Sequence, residues 1–114
     1  MVVATEWTVT PGAGPEGRAR LEGAAALGRV MAPPCSVVVT DPEGIVRGLA
    51  VACRVDPEAN RRWDLSPHVR SRFVGFLEDH DPGIHYRFHA VQEGLRTAVS
   101  FAPRLQVAPA PTPP

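Results

Sequence analysis

The stretch HYRFHAVQEGLRTAVSF, residues 85 to 101, sets histidine and arginine on alternate positions: His85, Arg87 and His89, with Arg96 beyond an EG pair. Alternate residues of a strand share a face, so these side chains form one basic stripe. Tyr86, Phe88 and Ala90 then form an apolar one, joined across a two-residue turn at Glu93 and Gly94 by Val99 and Phe101. In that register Phe88 faces Val99 and Tyr86 faces Phe101, and a slip of one residue would mix arginine with phenylalanine on both faces. Two histidines four apart on a strand are ~13 Å apart and cannot chelate one ion together. The stripe suits anions instead, because guanidinium forks pair with phosphate or carboxylate oxygens and imidazole gains charge in mildly acidic solution. His85, Arg87, His89 and Arg96 are therefore the candidate ligand-binding residues, for nucleic acid or another phosphorylated ligand. The plainer reading is an ordinary solvated sheet face.

A second group is EDHD, Glu78 to Asp81, read as the end of a helix, where carboxylates oppose the macrodipole. Asp79, His80, Asp81 and His85 offer oxygen and imidazole donors to a cation across the DPG turn. Ion pairing to Arg61 or Arg62, or simple exposure, explains them more economically, and the spacing matches no established metal motif, so no metal is assigned. Cys35 and Cys53 lie diagonally across an expected hairpin, a poor fit to a disulfide. With no histidine beside either in PPCSV or VACRV, they read as buried small hydrophobes. No complete set of nucleophile, base and oxyanion donors is present, so the chain leans away from an enzyme and implies no cofactor.

Twelve basic residues, all arginine, balance twelve acidic ones for a net charge of zero. Nucleic-acid binding by bulk charge is thereby disfavoured, and any such binding must be local. A length of 114 residues, 44% hydrophobic and 21% charged, gives one globular domain. MVVATEWTVT lacks the basic-then-apolar pattern of a secretory leader, and no apolar run nears the ~18 residues that span a bilayer. The expectation is a cytoplasmic protein, not a membrane one, with reduced thiols.

The elements that must position these residues follow from periodicity. VATEWTVT reads as a strand ended by PGAGP. Pro15 opens a helix to about Met31, with Leu21, Ala24, Ala25, Leu27, Gly28 and Met31 as its stripe. CSVVVTDPEGIVRGLAVACRV is a hairpin turning at Asp41 to Gly44, with Asp41 paired to Ile45 across a glycine bulge. That pairing gathers Cys35, Val37, Val39, Leu49, Val51 and Cys53 on one face, and Val38, Val46, Gly48, Ala50 and Ala52 on the other. DPEANRRWD is a polar connection. Ser66 and Pro67 open a second helix whose stripe is Val69, Phe73, Phe76 and Leu77. Residues 1–102 form the domain, and 103–114 are a Pro/Ala-rich flexible tail.

The sum is a two-layer α+β fold, a mainly antiparallel sheet with two helices in the order β-α-β-β-α-β-β. Helix, hairpin, helix and further strands, with TDPEGIV as the first turn, is similar to the small roadblock and profilin-like modules over roughly residues 16 to 102. The resemblance implies a dimerising, non-catalytic module and carries over no functional residue. Both faces of the first hairpin are apolar, so a second copy is expected to cover what one chain cannot. The leading expectation is a small interaction or regulatory module, homodimeric through its sheet or bound to another protein.

Overall fold

The computed structural model describes residues 2–27, 34, 36–92 and 98–109. In chain order these form β1 (Val2–Ala4), β2 (Trp7–Thr10), a single 3-10 turn (Pro15–Gly17), β3 (Ala19–Leu27), β4 (Ser36–Thr40), β5 (Val46–Arg54), α1 (Pro57–Arg62), β6 (Arg72–Leu77), β7 (Arg87–Val91), β8 (Val99–Phe101) and β9 (Leu105–Val107). The strands make one mixed sheet in the order β8-β7-β4-β5-β6-β3-β2-β9, with β1 also on β3 and, among the described residues, only the β2–β9 pair parallel. Among the described residues, no helix is long and apolar enough to cross a membrane.

The shape of the sheet follows from its connectivity. Its outermost strands, β8 and β9, are consecutive in the chain, ending at Phe101 and starting at Leu105. Four Cα steps reach at most ~14 Å, whereas the edges of eight flat strands would stand ~34 Å apart at ~4.8 Å per strand. The sheet must curl, and it forms a half-barrel. Trp7 on β2 meets Phe88 on β7 and Phe101 on β8 across the hollow side, with ring centroids 5.3 and 6.3 Å away.

The concave face is the core, built from Trp7, Val9, Leu21, Val37, Val39, Ala50, Phe73, Leu77 and Phe88. Trp7 is fully buried, its indole lying where a side chain on Gly23 would be. At one rim, Asp56 caps α1 by accepting from the Ala59 N–H at 3.0 Å, and its other oxygen accepts from Arg72 at 3.1 Å. Buried Asn60 accepts from the Ser71 hydroxyl at 2.6 Å and donates to the Val69 carbonyl at 2.8 Å, tying the helix to the start of β6.

The two-layer α+β expectation is overturned: the stretches read as long helices hold the strands Ala19–Leu27 and Arg72–Leu77, and among the described residues one six-residue α-helix remains. In Ala19–Leu27 the burial alternates over ARLEG, with Arg20 and Glu22 outward, before the alanines that suggested a helix. Its internal glycine, costly in a helix, is instead the seat for Trp7. In Arg72–Leu77, Phe73 and Leu77 point inward and Val74 and Phe76 outward. The strand preference of that Phe/Val run outweighs its coincidental i, i+3, i+4 spacing. The likeness to roadblock and profilin-like modules falls with the helices. The only α-helix among the described residues lies in DPEANRR, read as a connection although Asp56, Pro57 and Glu58 are a helix start.

Two registers also differ. Asp41 and Ile45 do pair, the Asp41 N–H donating to the Ile45 carbonyl and Gly44 N–H to that of Asp41, both at 3.0 Å. A further residue, Arg47, then bulges between the Thr40↔Val46 and Val39↔Gly48 pairs. One inserted residue turns the rest of β5 over, so Val37 and Val39 share the core face with Gly48 and Ala50, and Leu49, Val51 and Cys53 face outward. In the last hairpin Phe88 pairs with Phe101 and Ala90 with Val99, two residues from the expected register. A shift of two preserves the faces, which is why Phe88 is still buried and Arg87 still exposed. Its turn at Glu93 and Gly94 lies outside the described residues. Within the stretch read as a tail, Leu105–Val107 is a strand on β2.

Candidate functional site

Because no helix among the described residues covers the convex face, its side chains meet solvent in rows that pairing defines. One row runs Ser100, His89, Val38, Leu49, Phe76, Arg20, Thr10 across seven strands. The next runs Val91, Ser36, Val51, Val74, Glu22, Thr8. Each row is apolar at its centre on β5 and β6, and polar or charged on the β3 side. Leu49 is 38% exposed, Val51 49% and neighbouring Val46 60%. On the β3 flank the charges are matched within the chain, Arg18 to Glu78 at 3.1 Å and Arg20 to Glu22 at 3.3 Å, with the Arg18 guanidinium 4.8 Å over the Phe76 ring. This patch escaped the sequence reading, which placed Leu49 and Val51 on one face with Val37 and Val39; the signal available was Gly48, a lone glycine inside the strand and beside the bulged Arg47.

On the other flank, Arg87 and His89 on β7, with His85 just ahead of it, stand beside the turn of the first hairpin. Together with Thr40, Asp41, Pro42 and Gly44 they line a hollow of about 420 Å³. Arg87 pairs directly with Thr40 across the β4–β7 seam. His89 is held at both ring nitrogens, Nε2 2.8 Å from the Thr40 hydroxyl and Nδ1 3.1 Å from that of Ser100. Asp41 lies in the wall, its oxygens accepting from Glu43 N–H, Ile45 N–H and Arg47 Nε at 2.9 to 3.0 Å. Burial by itself pushes its carboxyl up, but these donors outweigh that and hold it below the ordinary carboxylate value. Three of the four predicted anion-site residues are thus brought together, and Thr40 joins them. Arg96 lies outside the described residues.

The EDHD segment does not end a helix. Glu78 pairs with Arg18, Asp81 accepts from Gly83 N–H at 2.8 Å, and the Asp81 N–H donates to the Tyr86 hydroxyl at 3.0 Å. Asp79, at φ 48°, and Asp81 are exposed, as is His85. Among the described residues no three His, Cys, Asp or Glu side chains gather to hold a metal ion. Cys53 is exposed, not buried as expected, and Cys35 lies outside the described residues.

His80 stacks on Tyr86 at 5.8 Å between centroids, and burial lowers its pKa below 6.5 although Asp81 pulls the other way. The unfolded chain therefore takes up this proton first, and the stability His80 lends above pH 6.5 is lost as pH falls through its folded value. Calorimetry at steps between about pH 7 and 5 should show the wild type losing more thermal stability than His80→Gln. Parallel curves would contradict it.

Comparison of the chain with protein-family models, with curated proteins and with solved structures gave no match, so its functional reading rests on the geometry above.

Proposed function

We propose that this chain is a small non-catalytic interaction module that pairs with a second copy of itself through the convex face centred on Leu49 and Val51. The observation that carries this reading is the contiguous block Val38, Leu49, Val51, Val74 and Phe76, apolar at the middle of two rows and rimmed by polar residues. An apolar centre inside a polar rim is the anatomy of a protein interface. A standard interface removes ~800 Å² per partner, and the molecule's broad dimensions of 39 by 35 Å provide a face of that size. A second copy suits the charge: net charge is zero, and the β3 flank is neutralised within each chain, so two copies approach without repulsion. The compartment that goes with this reading is the cytoplasm, where exposed Cys53 stays a thiol.

Sedimentation velocity and light scattering over rising concentration should show a dimer. Leu49→Asp with Val51→Asp buries unpaired carboxylates in the interface and should weaken association about 100-fold or more, with the circular dichroism of the fold retained. Cys53, exposed two residues beyond Val51 at a bulge between Ala52 and Arg54, should label more slowly in the dimer than in that variant. A wild type that stays monomeric at high micromolar concentration would end this reading.

A further inference from the structure

The hollow on the β7 flank calls for a reading of its own, separate from self-association. Arg87 and His89 occupy alternate positions of β7, ~6.6 Å apart, His85 lies two residues ahead of Arg87, and all three line a hollow with Thr40. Among the described residues no carboxylate is paired with the Arg87 guanidinium, which points out beside Thr40. The one carboxylate in the wall, Asp41, is already matched by Arg47 and two backbone N–H groups, its side chain only 6% exposed. The surface offered is therefore one of donors.

We propose that this hollow binds a small phosphomonoester, with the Arg87 guanidinium, the His85 imidazole and the Thr40 hydroxyl as donors to the phosphate. Arginine's fork matches two phosphate oxygens at once. His89 sets the direction of the Thr40 hydroxyl. When Nε2–H donates to Thr40 Oγ1, the hydroxyl hydrogen is left over for an anion; in the other tautomer it is spent on Nε2. A bound phosphate thus selects the Nε2–H form of His89, and the Ser100 hydroxyl donates to Nδ1, a role open to it at 3.1 Å. The volume of about 420 Å³ exceeds that of a phosphate ion and leaves room for the molecule that carries it. A small ligand is favoured over a polymer because one arginine and two imidazoles in a single hollow do not make the extended cationic track that a nucleic-acid backbone needs.

The test is titration of the full chain with glucose 6-phosphate, inorganic phosphate, glucose and a short single-stranded oligonucleotide, followed by calorimetry and by imidazole nitrogen signals in NMR. Glucose 6-phosphate is expected to bind, inorganic phosphate more weakly and glucose not at all, with His89 shifting to the Nε2–H form. Arg87→Ala should weaken binding tenfold or more and Thr40→Val by about as much as one charge-assisted hydrogen bond, roughly tenfold. Leu49→Asp with Val51→Asp should leave it unchanged, which separates this site from the dimer face. Absence of binding at millimolar glucose 6-phosphate, affinity unchanged in Arg87→Ala, or an oligonucleotide that binds more tightly than the monoester would each overturn the assignment.

Discussion

Trp7→Ala should lower the unfolding free energy by about 3–5 kcal/mol, read from urea denaturation followed by circular dichroism. Trp7 is fully buried and touches three aromatic rings, Phe73 at 6.0 Å, Phe88 at 5.3 Å and Phe101 at 6.3 Å between centroids. Those rings belong to strands from both arms of the curl, so the indole is the element that holds the arms together. Its Nε1 has no hydrogen-bond partner among the described residues, so truncation loses packing alone and strands no polar group. Trp7→Phe should therefore recover a large part of the loss, since it keeps an aromatic body over Gly23. A loss below about 1 kcal/mol for alanine would mean that the core is not organised around this residue.

Gly75→Ala is the second large effect expected, although it adds a single methyl group. Gly75 sits opposite Ala50 in the middle of the β5–β6 ladder. A Cβ there would overlap the Leu49 carbonyl oxygen and come within 2.5 Å of the Ala50 Cα. Both are backbone atoms of a paired strand, so no rotamer change relieves the contact and the strands must separate. The loss should reach or exceed the upper end of the ~1–3 kcal/mol seen for overpacked cores. Gly83→Ala is the control: its nearest neighbour is the movable Asp81 carboxylate at 3.3 Å, and stability should change by less than about 0.5 kcal/mol. Equal effects at the two glycines would show that the β5–β6 spacing is not the constraint.

What the sequence revealed depended on how far each signal reached along the chain. The alternation of RFHA was local, so the faces of β7 were legible, and with them the basic stripe that now lines the hollow. The turn at Asp41 to Gly44 was legible for the same reason. Arg47 was not: the glycine beside it, Gly48, fits a close approach of strands as well as a bulge, yet the bulge decides which side of β5 is wet and hence where the apolar patch lies. The segments Ala19–Leu27 and Arg72–Leu77 failed differently. Alanine runs and Phe/Leu spacing satisfy a helix locally, and what makes them strands is mutual: each pairs with the other over six positions, a long-range fact that no single window contains. Thr40 entered the site through the same kind of pairing, being brought to Arg87 by the β4–β7 seam and not by nearness in sequence.

The parallel seam between β2 and β9 also has a temporal meaning. Trp7 lies beside Leu105, and the Trp7 N–H donates to the carbonyl of Arg104 at 2.8 Å. During translation the outer edge of β2 must wait, unpaired, for almost a hundred further codons to be read. Contacts so distant along the chain slow folding, and until they form, that edge is a template for pairing with another nascent chain.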